Sequence, residues 1–381
     1  MSAQPQQLLL PPPVTGAWHE TDPAGGRRFC DLGDLVLETG VALPQVRMAY
    51  ETWGTPTGDN AVLVLHALTG DSHVTGESGE GHPTAGWWQS LIGPGLALDT
   101  DRWFVVAPNV LGGCQGTTGP AGHDPQGRRW GSRFPYLTVR DQVSAEIALA
   151  DRLGIGRWAL VVGGSMGGMR ALEWAVTVPD RVERLLVLAS GAYATGDQIA
   201  WCAPQLAAIR ADAGFRGGDY YDAPAGQGPH QGLGVARRIA HATYRSGTEI
   251  NLRFGRRAQP GEAPLGGGGR FAVESYLDHH ADKLVGRFDA NSYVVLTEAM
   301  NSHDVGRHRG GTVAALQRVR ARTTVAAVDS DRLYPVELSR EIADAVPGCQ
   351  GVQVISSPYG HDGFLIETGA VADLVADLLG R

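Results

Sequence analysis

Ser165 stands in the run Gly163-Gly164-Ser165-Met166-Gly167-Gly168. A short apolar stretch, 158–162, precedes it. A run of helical character, 169–178, follows and stops at Pro179. Strand, Gly-x-Ser-x-Gly, helix is the context of a nucleophile elbow, a strained turn that holds a serine hydroxyl at the tip of a sheet. The turn is tight, so the residues around the serine must be small, and Gly163 and Gly167 provide that room. A helix N-terminus behind the hydroxyl favours negative charge there. A phosphate loop is the rival reading, but it requires Gly-x-x-x-x-Gly-Lys-Ser/Thr, and no lysine is present in this run.

A serine hydroxyl is a poor nucleophile at neutral pH; it needs a base, and the base needs an orienting acid. On a sheet carrying this elbow the order along the chain is Ser, then Asp or Glu, then His. The stretch 324–328 is followed by Asp329-Ser330-Asp331, and the stretch 352–355 by Ser356-Ser357-Pro358-Tyr359-Gly360-His361-Asp362-Gly363. Both lie after the carboxyl ends of expected strands, where functional residues gather in open α/β sheets. His361 is the expected base and Asp331 its partner. Asp329 is the rival for that place, nearer the strand and able to bond to the turn instead. An oxyanion hole combines two backbone N–H groups. Met166, next to the serine, supplies one. The loop His66-Ala67-Leu68-Thr69-Gly70-Asp71 supplies the other, and Leu68 is the residue expected there, with His66 a structural residue at a strand end. The other histidines suggest no metal site. No His-Glu-x-x-His is present, the sequential His279 and His280 diverge by about 100° on a helix, and His303 and His308 read as solvated or locally bonded.

These residues require a sheet to carry them. Continuous apolar runs at 61–65, 103–106, 160–162, 185–188, 324–328 and 352–355 read as strands covered on both faces. Segments 139–153, 169–178 and 370–379 have helical spacing between them. The expected architecture is a doubly wound, mostly parallel sheet, with residues 35–52 as an antiparallel hairpin at its edge. Residues 195–305 break the alternation with helical runs at 199–213, 234–244 and 292–301 and a loop at Gly266-Gly267-Gly268-Gly269, so they read as a helical insertion that caps the sheet. That leaves 16–194 and 306–381 as the core and 1–15 as a loosely ordered tail, without the basic start of a signal peptide.

The chain has 381 residues, 43% hydrophobic and 19% charged, with a formal net charge of −8, ordinary for a globular enzyme and without the basic stripe that nucleic acid requires. No stretch approaches the ~20 apolar residues of a membrane span. Cys30, Cys114, Cys202 and Cys349 are far apart, with no CxxC pair to suggest a disulfide framework or zinc site, which suits a reduced cytoplasm.

Several of these stretches together resemble homoserine O-acetyltransferases, acyltransferases of methionine biosynthesis with the α/β-hydrolase fold. The matching runs are His66–Asp71, Asn109-Val-Leu-Gly-Gly-Cys-Gln-Gly-Thr-Thr-Gly-Pro120, Gly163–Gly168, Ala236-Arg-Arg-Ile239, Arg287-Phe-Asp-Ala-Asn-Ser-Tyr293, Asn301-Ser-His-Asp-Val-Gly306, Ser330-Asp-Arg-Leu-Tyr-Pro335 and Gly360-His-Asp-Gly-Phe364, in family order from about residue 30 onward. The resemblance implies a homodimer, a helical lid at 195–305, and the triad Ser165, Asp331, His361. It also implies that Arg237 pairs with the homoserine carboxylate and that Asp362 contacts its amine, with Arg238 the alternative to Arg237 as the pocket residue. Cys114 reads as packing. No cofactor is implied, only acetyl-CoA as co-substrate, with acetyl passing through Ser165 to homoserine. An esterase of the same fold would share the triad but need no zwitterion clamp. Succinyl-CoA as donor and serine as acceptor stay open, because one methylene is worth only about 1–3 kcal/mol. A non-catalytic binding protein would normally lack a triad member.

Overall fold

Alternation along the central strands decides the layering. The computed structural model of the chain describes residues 11–380. In β3 (Ala61–Leu65), β5 (Leu160–Gly164) and β6 (Arg184–Leu188), successive side chains point to opposite faces of the sheet, and both faces are buried. Leu63, Val161 and Leu185 pack on one side with Val143 and Leu149 of α1 (Val139–Arg152), Leu172 and Val176 of α2 (Met166–Thr177) and Ile342 of α9 (Val336–Ala345). Val62, Val162 and Leu186 pack on the other with Val371, Val375 and Leu378 of α11 (Thr368–Leu379).

With β1 (Arg28–Val36), β2 (Ala42–Trp53), β4 (Phe104–Pro108), β7 (Arg322–Val328) and β8 (Val352–Ile355), the sheet has the order β1-β2-β4-β3-β5-β6-β7-β8. β2 is antiparallel to both β1 and β4, and every other pairing is parallel. The expected hairpin is therefore present, but it starts seven residues earlier than its apolar pattern suggested. The expectation of two-sided burial fails at β8. Gln353 and Val354 are exposed, because this strand is the sheet's edge and has one neighbour only.

Between β6 and β7 the chain leaves the sheet for α3 (Gly196–Ala211), α4 (His230–Tyr244), α5 (Gly247–Phe254), α6 (Ala272–Val285), α7 (Ala290–Asn301) and α8 (Thr312–Leu316). Hydroxyl and carboxylate caps set three of the starts: Thr195 on α3, Ser246 on α5 and Asp289 on α7 each accept from the N–H three residues on. α4 packs between α3 and α6. Of the expected N-terminal tail, residues 1–10 lie outside the described residues. Further along, the Pro12 carbonyl accepts from Gly226 N–H at 2.8 Å, and Thr15 Oγ1 donates to Asp289 Oδ1 at 2.8 Å. The chain between β8 and α11 makes a turn at Gly360–Asp362 and the short α10 (Gly363–Ile366).

Candidate active site

Ser165 is the N-cap of α2, with φ 58° and ψ −124°, a backbone conformation that non-glycine residues seldom adopt. Its neighbours explain why the elbow needs glycine. A Cβ on Gly163 would lie 2.2 Å from the Gly167 carbonyl oxygen, and one on Gly167 would lie 2.1 Å from that of Leu65. α2 starts at Met166, three residues before its apolar spacing begins, because the elbow itself is the helix start.

The Ser165 hydroxyl lies 2.8 Å from His361 Nε2, and His361 Nδ1 lies 2.6 Å from Asp331 Oδ2. A carboxylate beside Nδ1 assigns the proton to that nitrogen and leaves the Nε2 lone pair for the serine. The other Asp331 oxygen accepts from the N–H groups of Leu333 and Tyr334 at 2.8 and 2.9 Å, so this carboxylate is fixed from both sides. Asp329 is used otherwise: it accepts from Ser356 Oγ and Ser357 N–H at 2.9 and 3.0 Å, tying the turn after β7 to the turn after β8. Burial opposes the charged imidazolium of His361, but the charge and hydrogen bond of Asp331 outweigh it, so the pKa is raised above 6.5. Such a serine can attack an acyl carbonyl while the imidazole takes its proton.

Ser165 opens into a narrow cavity of about 40 Å³ that Leu68, Met169, Cys202, Tyr244 and Tyr334 help to line. Among the described residues, no hydrogen bond takes up the backbone N–H of Leu68 or of Met166. The loop that carries Leu68 is braced at its start. His66 Nε2 accepts from Val110 N–H at 3.0 Å, while Arg170 donates to the His66 carbonyl at 2.5 Å and to Glu146 at 2.6 Å. Burial and the Arg170 charge push the His66 pKa down to about 3, so this ring is neutral and structural, as its sequence position suggested.

Arg237 faces a neighbouring cavity of about 260 Å³ shared with Ala67, Thr69 and Arg287. Its guanidinium sits 5.6 Å over the Tyr244 ring, whose centroid is 5.7 Å from that of His361. Its Nε and Nη1 are buried without a hydrogen-bond partner among the described residues. Arg238, the alternative, is tied to Asp278 at 2.8 Å. Asp362 is next to His361 but has Arg245 Nη1 at 3.4 Å. Burial raises its pKa, against the pull of His361, Arg237 and Arg245.

Two aromatic residues at the site escaped the sequence reading. Tyr334 stacks on His361 at 4.9 Å, and Tyr244 bridges it to Arg237. Tyr334 stands in the Ser330–Pro335 run, so a signal existed; Tyr244 had none. Cys114 is packed with Leu68, Val110 and Met166, and burial pushes its thiol up to about 12, far from a reactive thiolate. His303, expected to be solvated or locally bonded, is instead buried, its Nε2 without a hydrogen-bond partner among the described residues and its carbonyl accepting from Ala194 N–H, distant in sequence. A further cluster, Glu51, His73 and His82, is buried with ligand-type atoms within 4.8 Å of one another. Its residues stand 22 and 9 positions apart, and no local pattern announces them. The two imidazoles stack at 3.8 Å and 9°, so one ion cannot lie in both ring planes, and Gly26 N–H already occupies His82 Nε2.

Residues 60–368 match the family described as alpha/beta hydrolase fold. A homoserine O-acetyltransferase of Thermobifida fusca (strain YX) is 64% identical over 374 residues, covering 97% of this chain and 98% of that protein. Among solved structures, the homoserine O-acetyltransferase from Bacillus anthracis is similar with a TM-score of 0.84 at 26% identity, covering 93% of this chain and 97% of that one. Esterase E22 is similar to nearly the same degree, with a TM-score of 0.83 at 26% identity and coverage of 93% and 99%.

Proposed function

Because the chain belongs to the homoserine O-acetyltransferase family of the α/β-hydrolase fold, we propose that it transfers acetyl from acetyl-CoA to the hydroxyl of L-homoserine through an acetyl-Ser165 intermediate, a step of methionine biosynthesis. The observation that carries the transferase reading over simple hydrolysis is Arg237, a guanidinium with two buried unpartnered nitrogens one aromatic ring away from His361. A carboxylate pairs with such a guanidinium through a charge-assisted hydrogen bond, and an amino-acid acceptor brings one.

His361 takes the Ser165 proton as the oxygen attacks the thioester carbonyl. The oxyanion accepts from the N–H groups of Leu68 and Met166. The C–S bond breaks, CoA leaves as the thiol with the proton held by His361, and acetyl-serine remains. Homoserine then docks with its carboxylate on Arg237 and its ammonium toward Asp362. Its hydroxyl gives a proton to His361 and attacks the acyl carbon; the serine leaves and regains the proton. Asp331 holds the imidazole in the working tautomer throughout. The narrow cavity and the helical segment 195–305, acting as a lid, keep water from competing for the acyl group.

Acetyl is favoured over succinyl because, among the described residues, no cationic side chain lines the small cavity of Ser165 itself. The family reading also has the chain work as a homodimer in the cytoplasm, without metal or cofactor. No helix among the described residues is long and apolar enough to cross a membrane. The esterase reading draws on the likeness to esterase E22 and is separated by one experiment. Release of CoA from acetyl-CoA is followed with and without homoserine, for the wild type and Ser165→Ala. Release that needs Ser165 and rises with homoserine, with O-acetylhomoserine seen by mass spectrometry, supports transfer. Release indifferent to homoserine means hydrolysis, and turnover with succinyl-CoA alone overturns the donor.

A further inference from the structure

The strand β2 lies away from Ser165 in the sheet order, yet its Glu51 is 3% exposed and fully engaged. Glu51 Oε1 accepts from Ser72 Oγ at 2.8 Å, and Oε2 lies 3.0 Å from His73 Nδ1. Ser72 and His73 directly follow the loop 66–71 that carries Leu68. Within that loop Gly70 N–H closes a turn on the Ala67 carbonyl at 2.9 Å, and Arg287 donates to the Thr69 carbonyl at 2.8 Å. Asp71 Oδ1 accepts from His73 N–H at 2.9 Å. The loop is thus anchored at its start by Arg170 and Val110, at its crest by Arg287, and at its exit by Glu51.

We propose that Glu51 is a positioning residue for acyl transfer, acting through Ser72 and His73 to hold the Leu68 N–H where the oxyanion forms. The proposal rests on the acyl-Ser165 reading and on Leu68 as an oxyanion donor. An oxyanion donor must stand 2.7–3.1 Å from an oxygen that appears only in the transition state, so its loop has to be rigid before substrate arrives. A β-strand held in a sheet is a stiff place from which to hold it. His82 completes the surroundings. It accepts from Gly26 N–H at 3.0 Å, stacks on His73, and reaches Glu51 Oε2 at 3.5 Å. A Cβ on Gly26 would come within 2.7 Å of Glu51 Oε2, so backbone packs directly against the carboxylate and excludes water. Arg27 and Asp71 are the other charged groups that act on this cluster.

The test uses the full chain with p-nitrophenyl acetate, which acylates Ser165 without needing CoA or homoserine. Burst amplitude counts competent sites and burst rate measures acylation. Glu51→Gln is expected to slow the burst about 10–100-fold, and Ser72→Ala about 3–10-fold, because a displaced oxyanion donor forfeits part of the 10²–10³ that its complete removal costs. Amplitude per folded molecule and inhibition by CoA stay within twofold of wild type. Methylboronic acid, which becomes a tetrahedral anion on Ser165, binds more weakly to both variants in proportion to the lost rate. Glu51→Asp, which keeps the charge, recovers part of the rate. Burst rates within twofold of wild type in both variants, or a loss confined to amplitude, would overturn the proposal. Saturable stabilisation of the wild type by Zn²⁺, lost in His82→Ala, would overturn it too, by making the cluster a metal site. If the wild type bursts but makes no O-acetylhomoserine, the transferase reading fails and this inference stands. If it gives no burst, both fail.

Discussion

At the sheet, Arg170 gives Nη1 to Glu146 and Nη2 to the His66 carbonyl, and neither side chain of that ion pair has any exposure. In the helical segment, Arg237 keeps Nε and Nη1 buried with nothing to donate to among the described residues. The same contrast separates two histidines. His66 has backbone partners and an arginine nearby, and is held neutral; His361 has a carboxylate, and its pKa is raised. A buried polar group whose partners belong to the chain is part of the scaffold. A missing partner by itself does not mark chemistry, since Arg170 Nε is also unpaired among the described residues; two open donors one aromatic ring from His361, or an imidazole whose proton affinity a carboxylate raises, fit the proposed chemistry.

The largest break in this contrast is expected at Asp331. Asp331→Asn removes the acceptor that orients His361, and kcat should fall about 10⁴-fold with the fold retained, by analogy with serine-protease triads. The pH profile sharpens the point. In the proposed mechanism neutral His361 is the base, so acylation should rise with pH through a pKa above 6.5 and be lost below it. Without the Asp331 charge, burial is opposed only by the weaker pull of Asp362, and the acid limb of the residual activity should move to lower pH. The stability term has the opposite sign: protonated His361 favours the fold below about pH 6.5, and that contribution disappears as pH rises through the raised value. An acid limb that stays in place in Asp331→Asn would refute this account of His361.

Arg170→Met should be the costliest change to stability, about 3–5 kcal/mol, because it leaves the buried Glu146 charge uncompensated, with only the Trp174 Nε1–H bond at 2.7 Å. Urea denaturation of that variant beside Glu146→Leu/Arg170→Met tests it, and the double variant should recover most of the loss. Arg237→Met should behave in the reverse manner. Its stability should be kept, while the KM for homoserine rises about 10–100-fold, the loss of one charge-assisted pair. The acyl-enzyme burst should be untouched; a slowed burst would mean that Arg237 serves the donor instead. The smallest effect on turnover is expected at Asp329→Asn. kcat should stay within about threefold, while weakening of the bonds to Ser356 and Ser357 at this exposed position lowers stability by at most about 1 kcal/mol.

Those two aspartates mark the limit of what could be read from the chain. Both follow β7, two residues apart, and both suit a turn. Only the arrival of Ser356 and Ser357 from the next strand end occupies Asp329 and leaves Asp331 for the imidazole. Arg237 and Arg238 pose the same problem on a helix. Neighbours diverge by about 100°, and which of them turns inward depends on Asp278, 40 residues on, which holds Arg238. Glu51, His73 and His82 were beyond reach, since no periodicity connects a strand residue to two loop histidines.

Local chemistry was readable where a short stretch carries its own reason. Gly163 and Gly167 mark a turn too tight for side chains, so Ser165 and its elbow could be named from the chain alone. Apolar runs of five residues imply strands covered on both faces, so the parallel sheet could be named too. The edge position of β8, the choice of Asp331, the inward turn of Arg237 and the anchoring of the Leu68 loop belong to the tertiary structure alone. Each depends on groups distant in sequence that share one small volume, where a hydrogen bond of under 3 Å decides between neighbours that composition and spacing treat as equal.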